Sequence, residues 1–140
     1  MDDTVRTIEY LYATVGDKPG EARRLLEHLS ERGVNLVAFT AFPVEGGQAQ
    51  LDFIPESVSQ LQKAAADASV DLVGPKRAFL IQGDDRIGAL HQYHLKLANA
   101  GINVRASNGA CGGTGTFGFV LWVSPEDFEA AAKALGSQPA

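Results

Sequence analysis

One cysteine in 140 residues leaves Cys111 without an internal disulfide partner, which excludes the stapled secreted frameworks whose folds depend on paired cysteines. A surplus of basic residues is missing too. Lys and Arg number 12 against 17 Asp and Glu, a net charge of -5, which counts against a main role in neutralising nucleic-acid phosphates or lying on an anionic membrane. No apolar run approaches the ~18 residues of a membrane-spanning helix. Met1 to Arg6 has neither the basic nor the apolar region of a secretory signal. The expectation is a cytoplasmic protein without a nucleic-acid or membrane partner.

What is present is an ordinary globular mixture, with 45% hydrophobic and 21% charged residues, close to the soluble average. A chain of this length buries roughly 68 to 70% of its unfolded surface, enough for a packed core. Residues 7–15 are rich in β-branched and aromatic side chains and read as a strand ending at Gly16-Asp17. Pro19 and Gly20 open a helix in which Ala22, Leu25, Leu26 and Leu29 make one apolar stripe, and Gly33 stops it. Residues 34–42 and 48–54 read as two strands joined through residues 43–47. A second helix over 55–68 and a short strand over 70–73 complete a β-α-β-β-α-β order.

The second half repeats that order. One offset carries Gly20 to Gly88, Gly33 to Gly101 and Asn35 to Asn103, as an internal duplication requires. A Gly-Asp pair (Gly16-Asp17, Gly83-Asp84) precedes each first helix, and a Gly-aliphatic-Asn-aliphatic run (Gly33 to Leu36, Gly101 to Val104) follows it. Ser124-Pro125-Glu126-Asp127 reads as a helix start with Ser124 as cap. After Leu135 only five residues remain, too few and too polar for a final strand, so the strand over 78–82 is left beside an open sheet edge. Open edges are covered or paired. A swapped strand or a partner chain is expected there.

The loop Gly16-Asp17-Lys18-Pro19-Gly20, the helix, and Gly33-Val34-Asn35-Leu36 together resemble the ACT-domain pattern. The second copy is similar but less complete, with Arg86 standing where the first has Pro19. The resemblance implies an α+β fold of two ferredoxin-like βαββαβ modules in tandem, residues 1–74 and 75–140, the second lacking a clear final strand. It implies a regulatory or sensor protein, not an enzyme, that binds an amino acid or similar zwitterion at an interface between modules. No cofactor or metal is expected.

The residues themselves are compatible with that role. Gly20 and Gly88 lie at helix starts, where backbone N–H groups attract a carboxylate and the missing Cβ admits close approach. Asp17 and Asp84 can balance an ammonium, and Asn35 and Asn103 offer both a donor and an acceptor. These six are the candidate ligand-binding residues, although Asp before a helix is commonly a cap and Gly or Asn at a turn is commonly backbone chemistry.

Other signals carry rival readings. Phe117-Gly118-Phe119 resembles the RNP1 core of RNA-binding RRM domains, but strand parity with Leu121 turns both rings towards the helices. Arg86 and Asn103 are the pair that a small acylphosphatase-type enzyme would need. Gly112-Gly113-Thr114-Gly115 lacks the Lys-Ser/Thr ending of a phosphate loop and reads as a hairpin. Cys111 has no sequence-near activator. His94 falls opposite Leu26, so a core histidine bonded to backbone is expected, and with His91 it makes a weak metal pair. Leu25, Leu29, Phe53, Leu97, Phe119 and Leu121 should be buried. Trp122 should lie exposed on the face away from the helices, and with the open edge this predicts a homodimer.

Overall fold

The computed structural model describes residues 2–139. It contains β1 (Thr4–Gly16), α1 (Glu21–Glu31), β2 (Leu36–Val44), β3 (Gln48–Pro55), α2 (Val58–Asp67), β4 (Val73–Asp84), α3 (His91–Asn99), β5 (Val104–Cys111), β6 (Thr116–Val123) and α4 (Phe128–Leu135). The chain divides into two compact units. The first runs from Glu9 to Lys76, and the second joins the residues through Ile8 to those from Arg77 onward. The sequence reading places the boundary after residue 74 and counts the first eight residues with the first copy.

In the first unit, the second half of β1 pairs antiparallel with β3 and β3 with β2. α1 and α2 cover one face. The apolar stripe of α1 meets alternate residues of the strands, so Leu25, Leu29, Leu11, Leu51, Phe53 and Leu61 form one buried cluster. Helix α1 ends as its glycine predicts. Gly33 has φ 71 and the Val34 amide reaches back to the Leu29 carbonyl at 3.0 Å, the return bond of a left-handed helix stop.

The second unit repeats the plan. β4 pairs with β6 and β6 with β5, while Leu97, Phe119, Leu121 and Phe128 lie in a buried cluster under α3 and α4. Gly101 has φ 72, and the Ile102 amide returns to Leu97 at 2.9 Å.

Several expectations need correction. Residues 70–73 do not form a separate strand: Val70 bonds to the Ala65 carbonyl, and only Val73 enters β4, which continues unbroken to Asp84. Two strands read from the sequence are therefore one. Pro43 and Val44 belong to β2, which shortens the connection to β3. Ser124 makes no side-chain cap; a 3-10 turn over Pro125–Asp127 precedes α4, with the Asp127 amide on the Ser124 carbonyl at 2.9 Å.

The edge expected to be open is filled from within the chain. Thr4–Ile8 belongs to the second unit, and Val5 packs against its core. Beyond it, Gln138 makes a parallel bridge to Arg6, with the Thr7 amide on the Gln138 carbonyl and the Gln138 amide on the Val5 carbonyl, both at 2.9 Å. The swapped strand is thus the chain's own beginning. Trp122 is also not exposed, at 7%. Ala78, Leu80 and Val120 on the same strands are buried as well, so β4 and β6 are covered on both faces where parity promised one. Neither observation that motivated a homodimer survives.

Candidate functional site

Both strand-to-helix loops are tied down alike. The Asp17 amide donates to the Gly47 carbonyl, and the Asp85 amide to Gly115, each at 2.9 Å. Gly16 lies opposite Gln48, and Asp84 opposite Thr116. The offset that carries Gly20 to Gly88 therefore carries Asp17 to Asp85, Gly16 to Asp84 and Lys18 to Arg86. Matching the two Gly-Asp pairs displaces the alignment by one residue, because the second copy has one more residue between that pair and the helix glycine. Asp84 is the last residue of β4, while Asp85 occupies the loop position of Asp17. Arg86 corresponds to Lys18, not to Pro19.

Gly20 has φ 91 and Gly88 φ 75, and nothing lies within 4 Å of a Cβ built on either. Both are exposed. Gly20 caps α1, as expected, but α3 begins only at His91 with Leu90 as its cap. Gly88 therefore lies in the preceding turn, where the Ala89 amide bonds to the Arg86 carbonyl and the His91 amide to the Gly88 carbonyl. Neither helix has a side-chain cap, which leaves first-turn backbone donors of α1 for another acceptor. Asn35 and Asn103 lie elsewhere. Each follows the far end of its helix, and the 11 residues of α1 put Asn35 roughly 16 Å along the axis from Gly20. Asn35 donates from Nδ2 to Glu56 Oε1 at 2.7 Å. Within one unit, then, Asp17 and Gly20 share a strand-to-helix loop and Asp84 ends the strand that leads towards Gly88, while each asparagine lies beyond the far end of its helix.

Sequence reasoning missed a polar cluster around Asp3. The Asp3 carboxylate receives Arg86 Nη1 on Oδ1 at 3.1 Å and Nη2 on Oδ2 at 2.7 Å, a two-pronged pair. Tyr93 donates its hydroxyl to the same Oδ2, and Gln92 Nε2 approaches it at 3.4 Å. A Cβ at Gly83 would run into that carboxylate, so the missing side chain makes the room. The Arg86 guanidinium holds the Asp3 carboxyl below its ordinary value, against desolvation, with help from Tyr93. Burial and the Asp3 hydrogen bond push the Tyr93 phenol up to about 12. No local pattern announces this cluster, since Asp3 and Tyr93 are ninety residues apart.

The rival readings fare as follows. Phe117 and Phe119 are buried, at 6% and 2%, so neither presents a ring for stacking on a base. Arg86 and Asn103 stand at opposite ends of α3 and do not converge. Cys111 is exposed, and a hydrogen bond to Asp85 pushes its thiol up, away from the reactive thiolate. His94 is half-buried, with Nδ1 at 2.9 Å from the Leu90 carbonyl and Nε2 at 3.3 Å from Ser107 Oγ. Among the described residues, no group of three or more His, Cys, Asp or Glu is placed to hold a metal, and no helix is long and apolar enough to cross a membrane.

No protein-family model matches the sequence, and no curated protein matches it. Solved structures do. Protein BT0572 from Bacteroides thetaiotaomicron superimposes with a TM-score of 0.80 at 17% identity, covering 94% of this chain and 88% of that one. The ligand-free regulatory subunit of aspartate kinase from Thermus thermophilus gives 0.66 at 16% identity, covering 97% and 95%. Its counterpart from Thermus flavus gives 0.59 at 15%, covering 97% and 95%. At these identities the likeness is one of fold, and it agrees with the α+β fold of ferredoxin-like modules that the loop, helix and asparagine pattern implied.

Proposed function

We propose that the chain is a regulatory or sensor protein of the cytoplasm, not a catalyst, whose two ACT-like modules, corresponding to the two units, bind an amino acid or similar small zwitterion. The observation that carries this reading is the pair of open glycine turns, Gly20 at the cap of α1 and Gly88 in the turn that leads into α3, neither helix having a side-chain cap. An α-amino acid brings a carboxylate for such amides and an ammonium for Asp17 or its counterpart in the second copy. The solved structures of aspartate kinase regulatory subunits support a regulatory role. Because Asn35 and Asn103 lie at the far ends of their helices, a site that uses both a loop and an asparagine takes them from two different modules, and a homodimer is one assembly that supplies them.

A thermal-shift screen over the standard amino acids tests this. A ligand at 100 times its dissociation constant stabilises the native state by about 2.7 kcal/mol, a rise of several degrees in Tm for a chain of this size. Gly88→Val removes the response of the second loop, Asp17→Asn weakens that of the first, and Lys18→Ala leaves both. A flat screen, with a shift from single-stranded RNA or an acyl phosphate instead, overturns the reading.

A further inference from the structure

Two of the donors around Asp3, Arg86 and Tyr93, are held by groups other than Asp3. Arg86 is steadied by its own hydrogen bond from Nη1 to the Asp84 carbonyl at 3.0 Å and by the Phe117 ring, 5.6 Å from the guanidinium. Tyr93 is 3% exposed, with its ring 5.8 Å from that of Phe119. These two donors and Gln92 converge on one point, and the space at that point exists because residue 83 is glycine. Three kinds of donor, guanidinium, phenol and amide, aimed at one pair of oxygens with no acidic side chain among them, select a carboxylate.

We infer that Arg86, Gln92 and Tyr93 over Gly83 form a carboxylate-binding site, kept filled by Asp3 of the same chain and opened to a free carboxylate when the N-terminal segment leaves. Asp3 adjoins Thr4, the first residue of the strand segment that closes the sheet edge of the second unit. A free carboxylate that takes the site therefore competes with the seating of that segment. Tethering gives Asp3 an effective concentration on the millimolar scale or above, so in the intact chain a simple carboxylate competes only when abundant. This inference stands on the cluster's own geometry, whether or not an amino acid binds the glycine turns.

The test uses the full chain with Asp3→Ala and sodium acetate as the probe, against sodium chloride at equal ionic strength. Acetate should raise the Tm of Asp3→Ala along a saturating curve and act on the unaltered chain only at much higher concentration. Tyr93→Phe in that background should weaken the midpoint by roughly tenfold, the loss of one hydrogen bond to a charged group, and Arg86→Ala should abolish the curve. If Asp3→Ala does not fold, hydrogen exchange on the unaltered chain decides: concentrated acetate should speed exchange at Thr7 and Gln138, whose amides hold the segment, before other strand amides. No saturable acetate effect, an equal effect after Arg86→Ala, or unselective exchange overturns the assignment. A failed acetate test leaves the amino-acid screen at the first loop to its own outcome.

Discussion

Two carboxyls, Asp52 in the core and the half-buried Asp3, respond to pH in opposite senses. Asp52 is 4% exposed, and desolvation raises its pKa from the ordinary 3.8, only partly offset by Gln50 and Lys76. The folded chain holds this proton more tightly than the unfolded chain, so stability is lost as pH rises from 3.8 through the folded value, and the loss persists at neutral pH. Asp52→Asn keeps the shape without the charge and should raise Tm near pH 7 but not near pH 3, by thermal denaturation at both. Asp3, with its lowered pKa, contributes stability above the ordinary value that is lost as pH falls through its folded value. Cys111 should alkylate more slowly than a free thiol at neutral pH, because Asp85 disfavours its thiolate. Asp85→Asn should speed that reaction, and an unchanged rate would show that the hydrogen bond does not control the thiol.

Among the elements, α1 follows its sequence most closely, starting after Gly20 and stopping before Gly33, whereas α3 begins three residues after Gly88. Spacing named Leu25 and Leu29, and both are buried. Leu29→Ala should cost about 2 to 5 kcal/mol in denaturant unfolding, and a cost under ~1 kcal/mol would mean the cluster closes around the gap. Strands were less legible. Parity assigned Phe119 and Leu121 correctly to the helix side, yet it said nothing about burial of the opposite face, where Trp122, Val120 and Leu80 are also covered. A strand buried on both faces has no polar alternation to betray it. The fusion of two expected strands into β4 was hidden for a related reason. Gly74 and Pro75 look like punctuation in sequence, but the strand β4 runs through both.

At the scale of the whole molecule, the units do not follow the order of the chain. Thr4–Ile8 serves the second unit while Glu9 onward serves the first. Deleting residues 2–8 should therefore expose the β4 edge of the second unit, with hydrogen-exchange protection lost first in Arg77–Asp84 and at Gln138 and later in α1 and β3. Uniform loss across both units would contradict a specific role for the segment.

The sequence by itself determined the duplicated β-α-β-β-α order, the helix stops at Gly33 and Gly101, and the inward faces of the main elements. These rest on periodicity and backbone freedom, which act over a few residues and repeat when the sequence repeats. Only the tertiary structure decided that the chain's beginning completes its second unit, that Asp85 rather than Asp84 matches Asp17, and that Asp3 meets Arg86, Gln92 and Tyr93. Strand exchange and ion pairing depend on which distant segments reach the same place, and a local pattern holds no record of that distance.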